Sequence, residues 1–234
     1  MKKNKMMRAA SFLLVAVLLS TSVISGTFAK YVTTATGSDT ARVAKFGVEV
    51  KAITSIFNTQ YAGTDAVTVL SSNSDKIIAP GTTGEAVAFT ITGSPEVDVN
   101  VDVTLGAFTR VTLPAGDYPD YTTANTADMY AAPVYQPVEW TLKKEGVAVS
   151  GCENVGLDVI QTYLTGTLSN DYQVEGGEFA AINGTYSLAW NWDFNGNDQA
   201  DTVLGQIAAG KIPAPAGYVA NESFALTITV TQID

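Results

Sequence analysis

A two-residue alternation of apolar and polar side chains, repeated along the chain, constrains the fold most strongly. This period places apolar side chains on one face of an extended strand and polar side chains on the other. Antiparallel sheets with one solvated face produce the pattern, so the sequence predicts a mainly β protein built as a sandwich of two antiparallel sheets. The clearest apolar sets are Val97, Val99, Val101, Val103 and Leu105; Tyr186, Leu188, Trp190 and Trp192; and Phe224, Leu226, Ile228 and Val230.

Further strands are predicted between turn signals such as Ala79-Pro80-Gly81 and Asn183-Gly184. We find no Pro/Gly/Ser-rich linker strong enough to divide the chain, so one β-sandwich domain is expected over residues 42–234. The further strand candidates are 43–53, 66–70, 85–92, 108–113 and 138–143.

Short helices are expected in the long connections. Leu157, Ile160, Leu164 and Leu168 recur at three- and four-residue spacing, which predicts a helix over 157–168. A second helix is expected at 202–209. Residues 114–137 are rich in Tyr, Pro, Thr and Ala, and we interpret them as a long insertion or loop.

The first 29 residues have the order of a secretory signal peptide: a basic start, a short apolar run over 12–24, then small residues. We expect cleavage between Ala29 and Lys30, leaving a mature chain of 30–234. The alternative, a membrane anchor, needs about 20 apolar residues, and polar residues interrupt this run. The basic residues are Lys2, Lys3, Lys5 and Arg8, and the interrupting residues are Ser20, Thr21 and Ser22.

Charge and composition exclude several function classes. The whole chain has 13 basic and 23 acidic residues, and the predicted mature chain keeps 9 and 23, a net charge of −14. Such a chain repels nucleic acid phosphates and anionic lipid, so neither nucleic acid nor, after cleavage, a membrane is an expected partner. The absence of histidine removes imidazole catalysis and His-based zinc sites. We therefore predict a protein that is not an enzyme and has no cofactor.

Short motifs resemble the exported TasA/camelysin-like proteins of Gram-positive bacteria, whose leaders are removed by a SipW-type signal peptidase. GTFAKYV at 26–32 and VAKFGVEV at 43–50 are similar to that family's leader junction and first strand. IAPGT at 78–82 is similar to its Pro-Gly turn, and WNWDF at 190–194 is similar to a segment of clostridial members. The sequence departs from the family pattern at two positions. Tyr31 stands for the usual phenylalanine, and Gly47 follows Phe46 more closely than the glycine follows its aromatic residue in the family.

This resemblance implies a jelly-roll-like β-sandwich that is secreted and polymerises into extracellular fibres of a biofilm matrix or cell surface layer. It also implies that the freed N-terminal segment, 30–41, completes the sheet of the next subunit as a donor strand, with Tyr31, Val32, Thr33 and Thr34 as assembly residues. The segment is Thr-rich and contains no proline, so it can add to an open sheet edge. The expected partners are copies of the same chain, with a signal peptidase acting during export. A frayed terminus is the other interpretation.

A calcium loop is a second candidate site. Asp193, Asn195, Asn197 and Asp201 place oxygen side chains at relative positions 1, 3, 5 and 9. A glycine at position 4 instead of 6, and Leu204 at position 12, depart from that loop. The other interpretation is a polar turn before a helix capped by Asp201.

The tryptophans offer the remaining alternative. Trp140, Trp190 and Trp192 are candidates for a glycan-binding platform, although their alternation favours packing in the core. With the calcium loop, they define the alternative function, a monomeric surface binding module for calcium or glycan. The single cysteine, Cys152, has no disulfide partner within the chain and is expected to pack as a small apolar residue.

Overall fold

The structure is a computed structural model that describes residues 42–52, 55–62, 68–120 and 128–233. The predicted mainly β, antiparallel sandwich is confirmed. The predicted cleavage site, Ala29 and Lys30, and the predicted assembly residues Tyr31 to Thr34 lie outside the described residues. No helix in the described ranges is long and apolar enough to cross a membrane.

Two sheets carry the fold, and every strand pair in them is antiparallel. The larger sheet has the order β1-β4-β11-β8-β9, and the smaller has the order β10-β5-β12. Two two-stranded ribbons, β2-β3 and β6-β7, pair with neither sheet. The strands are β1 Val48–Ala52, β2 Gln60–Ala62, β3 Thr68–Leu70, β4 Thr83–Gly93, β5 Val99–Leu105, β6 Gly116–Pro119, β7 Met129–Ala132, β8 Val138–Lys144, β9 Val147–Ala148, β10 Asn170–Tyr172, β11 Gly184–Trp192 and β12 Leu226–Gln232.

The inward faces of both sheets meet in one apolar core, as the alternation predicts. On β5, Val99, Val101, Val103 and Leu105 are buried while Asp102 is exposed. All three tryptophans are in this core, which confirms the packing interpretation over an exposed glycan platform. Cys152 is also buried, as expected of a small apolar residue.

The helical segment predicted over 157–168 has those ends in the structure, whereas the helix predicted over 202–209 begins earlier. Helix α1 spans Leu157–Tyr163 and continues as a π-helix over Leu164–Leu168. A 3₁₀ turn spans Glu178–Ala181, and helix α2 spans Asp198–Ala208. The interpretation that Asp201 caps the second helix is wrong: α2 begins at Asp198, four residues before the predicted start, and the Asp201 side chain accepts hydrogen bonds from Tyr135 and Trp192 instead.

The expected strand at 108–113 is wrong. Its residues make isolated bridges, Thr109 with Ser223 and Thr112 with Val219, and no continuous ladder. The physical reason is that the Val111 N–H, which a ladder would use, donates to the buried carboxylate of Glu222 at 2.8 Å.

The loop interpretation of 114–137 is also wrong in part, because the segment contains the antiparallel ribbon β6-β7. Tyr118 in β6 and Ala132 in β7 are buried against the core. The Tyr118 hydroxyl donates to the Pro114 carbonyl at 2.9 Å. Residues 114–137 therefore include a packed ribbon within what was expected to be loop.

Gly84 is a point of close packing that gives the first testable prediction. It pairs with Trp190 across β4 and β11, and a Cβ at position 84 would lie 2.5 Å from the Trp190 Nε1 atom. Gly84→Ala is expected to lower the free energy of unfolding by about 1–3 kcal/mol, because the indole must shift in a packed core. Urea denaturation of the mature chain measures this change.

The matched control is Gly166→Ala, where a Cβ meets no atom within 4 Å. Its free energy of unfolding is expected to stay unchanged or to rise by up to about 1 kcal/mol, because alanine is favoured over glycine within a helical segment. Equal effects of the two substitutions would contradict the close contact between Gly84 and Trp190.

Candidate assembly site

The β8 side of the larger sheet is a protected edge. Residues 149–155 fold back along it: the Trp140 N–H donates to the Val155 carbonyl at 2.7 Å, and the Leu142 N–H donates to the Cys152 carbonyl at 2.9 Å. The Asn154 N–H donates to the Thr141 hydroxyl. These bonds use the outward groups of β8, so another strand finds few partners there.

The β10 side of the smaller sheet is protected by side chains. β10 pairs with β5 only from Val99 to Val101. Beyond it, the Val103 N–H donates to the Ser169 hydroxyl at 2.8 Å, and the Leu105 N–H donates to the Gln161 side-chain carbonyl at 2.7 Å. Gln161 and Ser169 come from α1 and the end of the π-helix, so these helical turns close this edge.

The other two edges, β1 and β12, have no second strand partner among the described residues. They lie on the same side of the sandwich, where Cα atoms of the two strands approach within 8 Å. Their inward residues are only partly buried, unlike those of the central strands. The partly buried residues are Val48, Val50, Leu226, Ile228 and Val230.

β12 has the backbone pattern of an acceptor strand. The Ala225 carbonyl accepts the Gly106 N–H, and the Ile233 N–H donates to the Asp98 carbonyl. These two bonds, one at each end of β12, show that the odd-numbered residues of β12 are those bonded to β5. In an antiparallel pair the bonded residues alternate, so the N–H and C=O groups of the even-numbered residues point away from β5. The residues whose backbone groups point away from β5 are Leu226, Ile228, Val230 and Gln232.

Charge distinguishes the two unpaired edges. On β1, exposed Glu49 and Lys51 form an ion pair with an N–O distance of 2.9 Å. Charged side chains of this kind discourage edge-to-edge pairing. The sequence of β12, LTITVTQ, contains no charge and no proline, and Thr227, Thr229 and Thr231 are exposed. β12 is therefore the unprotected edge in the described part of the sandwich.

A surface cavity of about 430 Å³ lies where β12 begins and β1 ends. Leu226 and Ala52 line it from the two strands, and Phe57 and Phe224 supply aromatic wall. Lys76 is at its margin, where the ammonium group donates to the Ser55 hydroxyl at 2.6 Å. The cavity is within the size range of small-ligand and side-chain pockets.

Aromatic contacts make the cavity wall part of the core. The Phe57 ring meets Trp140 edge-on with centroids 5.9 Å apart, and Phe224 meets the same indole edge-on at 5.5 Å. Phe57 also lies 5.6 Å from the Trp190 ring. Because Trp140 is fully buried, these contacts hold the wall against the central strands.

Glu222 lines the cavity and connects it to Val111 and Trp140 by hydrogen bonds. One carboxylate oxygen accepts the Val111 N–H at 2.8 Å, and the other accepts the Trp140 indole N–H at 2.9 Å. Burial raises the pKa of Glu222 above its ordinary value of 4.5, while the bonds from Val111 and Trp140 oppose the shift. Sequence reasoning missed Glu222, since one acidic residue between a loop and a strand carries no periodic signal.

The residues of the predicted calcium loop are used in other contacts. One Asp201 oxygen accepts both the Tyr135 hydroxyl, at 2.8 Å, and the Trp192 indole N–H, at 2.9 Å. Burial raises the pKa of Asp201. An Asp193 oxygen accepts an N–H of the Asn191 amide, and Asn197 precedes α2 without a side-chain cap. Within the described ranges, no group of three or more Asp, Glu or Cys side chains is placed to hold a metal ion.

Comparison with known proteins assigns no family to the chain, so its class is defined by its fold alone. No protein-family model, curated protein or solved structure matches the chain. The molecule is an antiparallel β-sandwich, and its candidate site is the unprotected β12 edge with the adjoining cavity. The similarity to TasA/camelysin-like proteins stays a hypothesis carried by the sequence motifs.

Glu222→Gln tests the buried carboxylate. An amide presents one oxygen, so Val111 or Trp140 loses its acceptor, and the free energy of unfolding at pH 7 is expected to fall by about 1–3 kcal/mol. Because the folded-state pKa is raised, the Glu222 contribution to stability is greatest below its unfolded pKa and declines as pH rises through the folded pKa. The stability difference between wild type and variant should therefore widen as pH falls from 7 to 4.

Chemical denaturation across that pH range measures the difference, with exposed Glu139→Gln as the control. The control difference is expected to stay near zero. A gap between wild type and Glu222→Gln that narrows toward pH 4 would contradict the direction of the pKa shift.

Proposed function

We propose that the mature chain is a secreted structural subunit of extracellular fibres, in a biofilm matrix or cell surface layer. Polymerisation occurs when residues 30–41 of one subunit add as a strand to the β12 edge of another. The observation that carries the proposal is that β12 is uncharged and, among the described residues, has no strand on the side away from β5, whereas chain segments or side chains protect the β8 side of the larger sheet and the β10 side of the smaller sheet. The proposal contains no catalytic step.

Backbone pairing supplies the main attraction. Four residues of β12 have backbone N–H and C=O groups that point away from β5 and can bond an added strand, and each bond contributes about 0.5–1.5 kcal/mol net. Threonines on both strands, at 33, 34 and 36 in the segment and at 227, 229 and 231 in β12, favour cross-strand pairs. These gains oppose the cost of ordering the segment, about 1–2 kcal/mol per residue for the backbone.

Burial of apolar surface on β12 adds to the attraction between the two strands. Leu226, Ile228 and Val230 are only partly buried in the isolated chain. An added strand removes part of this apolar surface from water, which stabilises the joined state by about 25 cal/mol per Å² covered. Subunit charge opposes assembly, because each mature chain carries −14, and added salt should therefore accelerate fibre growth.

Deleting 30–41 tests the role of the segment. The mature chain 30–234 is expected to form filaments visible by negative-stain electron microscopy, and 42–234 is expected to stay monomeric. The control replaces 30–41 with a Gly/Ser sequence of equal length, which retains chain length and removes β-propensity. Filaments that form equally well from the deleted chain would refute the donor-strand mechanism.

Val230→Pro tests the β12 edge. The Val230 N–H points outward, so proline removes a donor for the incoming strand without removing a bond to β5. Filament formation is expected to fall at least tenfold in initial rate, measured by light scattering. Val230→Ala is the matched control, because it loses similar apolar contact but retains the N–H.

Both Val230 variants should unfold cooperatively, with free energies of unfolding lowered by about 1–2 kcal/mol. Equal filament rates for the proline and alanine variants would show that this backbone edge is not used.

A further inference from the structure

The cavity adjoins the first residue of the proposed acceptor strand. Leu226 begins β12 and also lines the cavity, together with the two residues before it, Phe224 and Ala225. An extended strand placed along β12 therefore has its inward side chain at this end directly above the cavity. A bulky side chain there would contact Phe57 and Phe224 and cover the apolar wall.

The 30–41 segment contains one side chain that suits this cavity. Tyr31 is its sole aromatic residue and the second residue of the predicted mature chain. A tyrosine ring fits within about 430 Å³, and its hydroxyl group can bond at a polar margin. Lys76 and Ser55 provide that margin, because their side chains meet at 2.6 Å.

Resting on the proposed function, we propose that the cavity receives Tyr31 of a second copy of the chain and so fixes the register of the donor strand. Because Tyr31 is near the start of the segment and the cavity is at the start of β12, the added strand runs parallel to β12. Residues 31–37 then lie beside 226–232, which matches the seven residues of β12.

A second copy is the occupant because occupation within one chain would end growth. A segment lying on its own β12 would cover the edge that the next subunit needs. β1 also runs toward the cavity and ends at Ala52 in its lining, so the chain that precedes β1 enters from the opposite end of that strand. Occupation by the same chain is an outcome that the test below detects.

Two variants of the mature chain 30–234 separate donor from acceptor. Tyr31→Ala removes the anchor and leaves the cavity, while Leu226→Trp fills the cavity and leaves the anchor. Each alone is expected to lose at least 90% of filament mass in sedimentation. A 1:1 mixture is expected to form dimers, measured by size-exclusion chromatography with light scattering, because the intact anchor of one enters the intact cavity of the other.

The control for a bulky substitution is Val147→Trp, at an exposed position of β9, which is at the opposite edge of the larger sheet from β1 and outside the sheet that contains β12. It is expected to form filaments as the unchanged chain does. Ala52→Trp, at an exposed position that also lines the cavity, replaces Leu226→Trp if thermal melting shows that the latter fails to fold.

The outcomes distinguish this inference from the proposed function. Filaments from Tyr31→Ala at the unchanged rate, with none from the 30–41 deletion, overturn the anchor and leave the donor strand in place. A mixture that stays monomeric overturns occupation by a second copy. A mature chain that forms no filaments under any of these conditions overturns both proposals.

Discussion

The requirement that backbone N–H and C=O groups find partners governs how this sandwich ends on each side. Central strands meet it through ladders, and the β8 and β5 edges meet it through a returning segment and two helical side chains. On β12 the backbone groups of the four even-numbered residues that point away from β5 have no strand partner among the described residues. The distribution of edge protection therefore distinguishes β12 from the other sheet edges in the described ranges.

Glu222 connects the core to that surface. Its carboxylate draws Val111 out of a strand ladder, orients the indole of Trp140 and contributes to the cavity at the start of β12. A single buried side chain therefore contacts a predicted strand, a core indole and the cavity wall. Burying a carboxylate is costly, and its two charge-assisted bonds offset that cost.

The alternation of apolar and polar residues predicted the strands and the residues that their buried faces place in the core. Alternation on β5, β11 and β12 identified strands and placed Trp140, Trp190 and Trp192 in the core, because burial on one sheet face follows directly from a period of two. The strand expected at 108–113 failed because Val111 bonds to a residue 111 positions away. Asp201 was misassigned as a cap for a similar reason, since Tyr135 and Trp192 recruit its side chain.

The candidate site was predictable on one side only. Composition singled out 30–41 as a segment able to pair, but which edge is open depends on side chains such as Gln161 and Ser169 that reach β5 across more than 50 residues of sequence. No local pattern encodes that contact. The difference in charge between β1 and β12 can be read from the sequence. It bears on assembly only because the structure places both strands at the edges of their sheets.

Gln161 and Ser169 occupy the backbone N–H groups of β5 on the side away from β12, and this gives any fibre built through β12 a direction. If each subunit accepts a neighbour along one edge and donates by a separate segment, the contact is heterologous, and its repetition generates an open polymer instead of a closed pair. Such a filament is polar: one terminus presents an unfilled β12, and the other presents an unused leading segment. The two termini would then be chemically distinct, and growth, capping and attachment to a surface could each be confined to one of them.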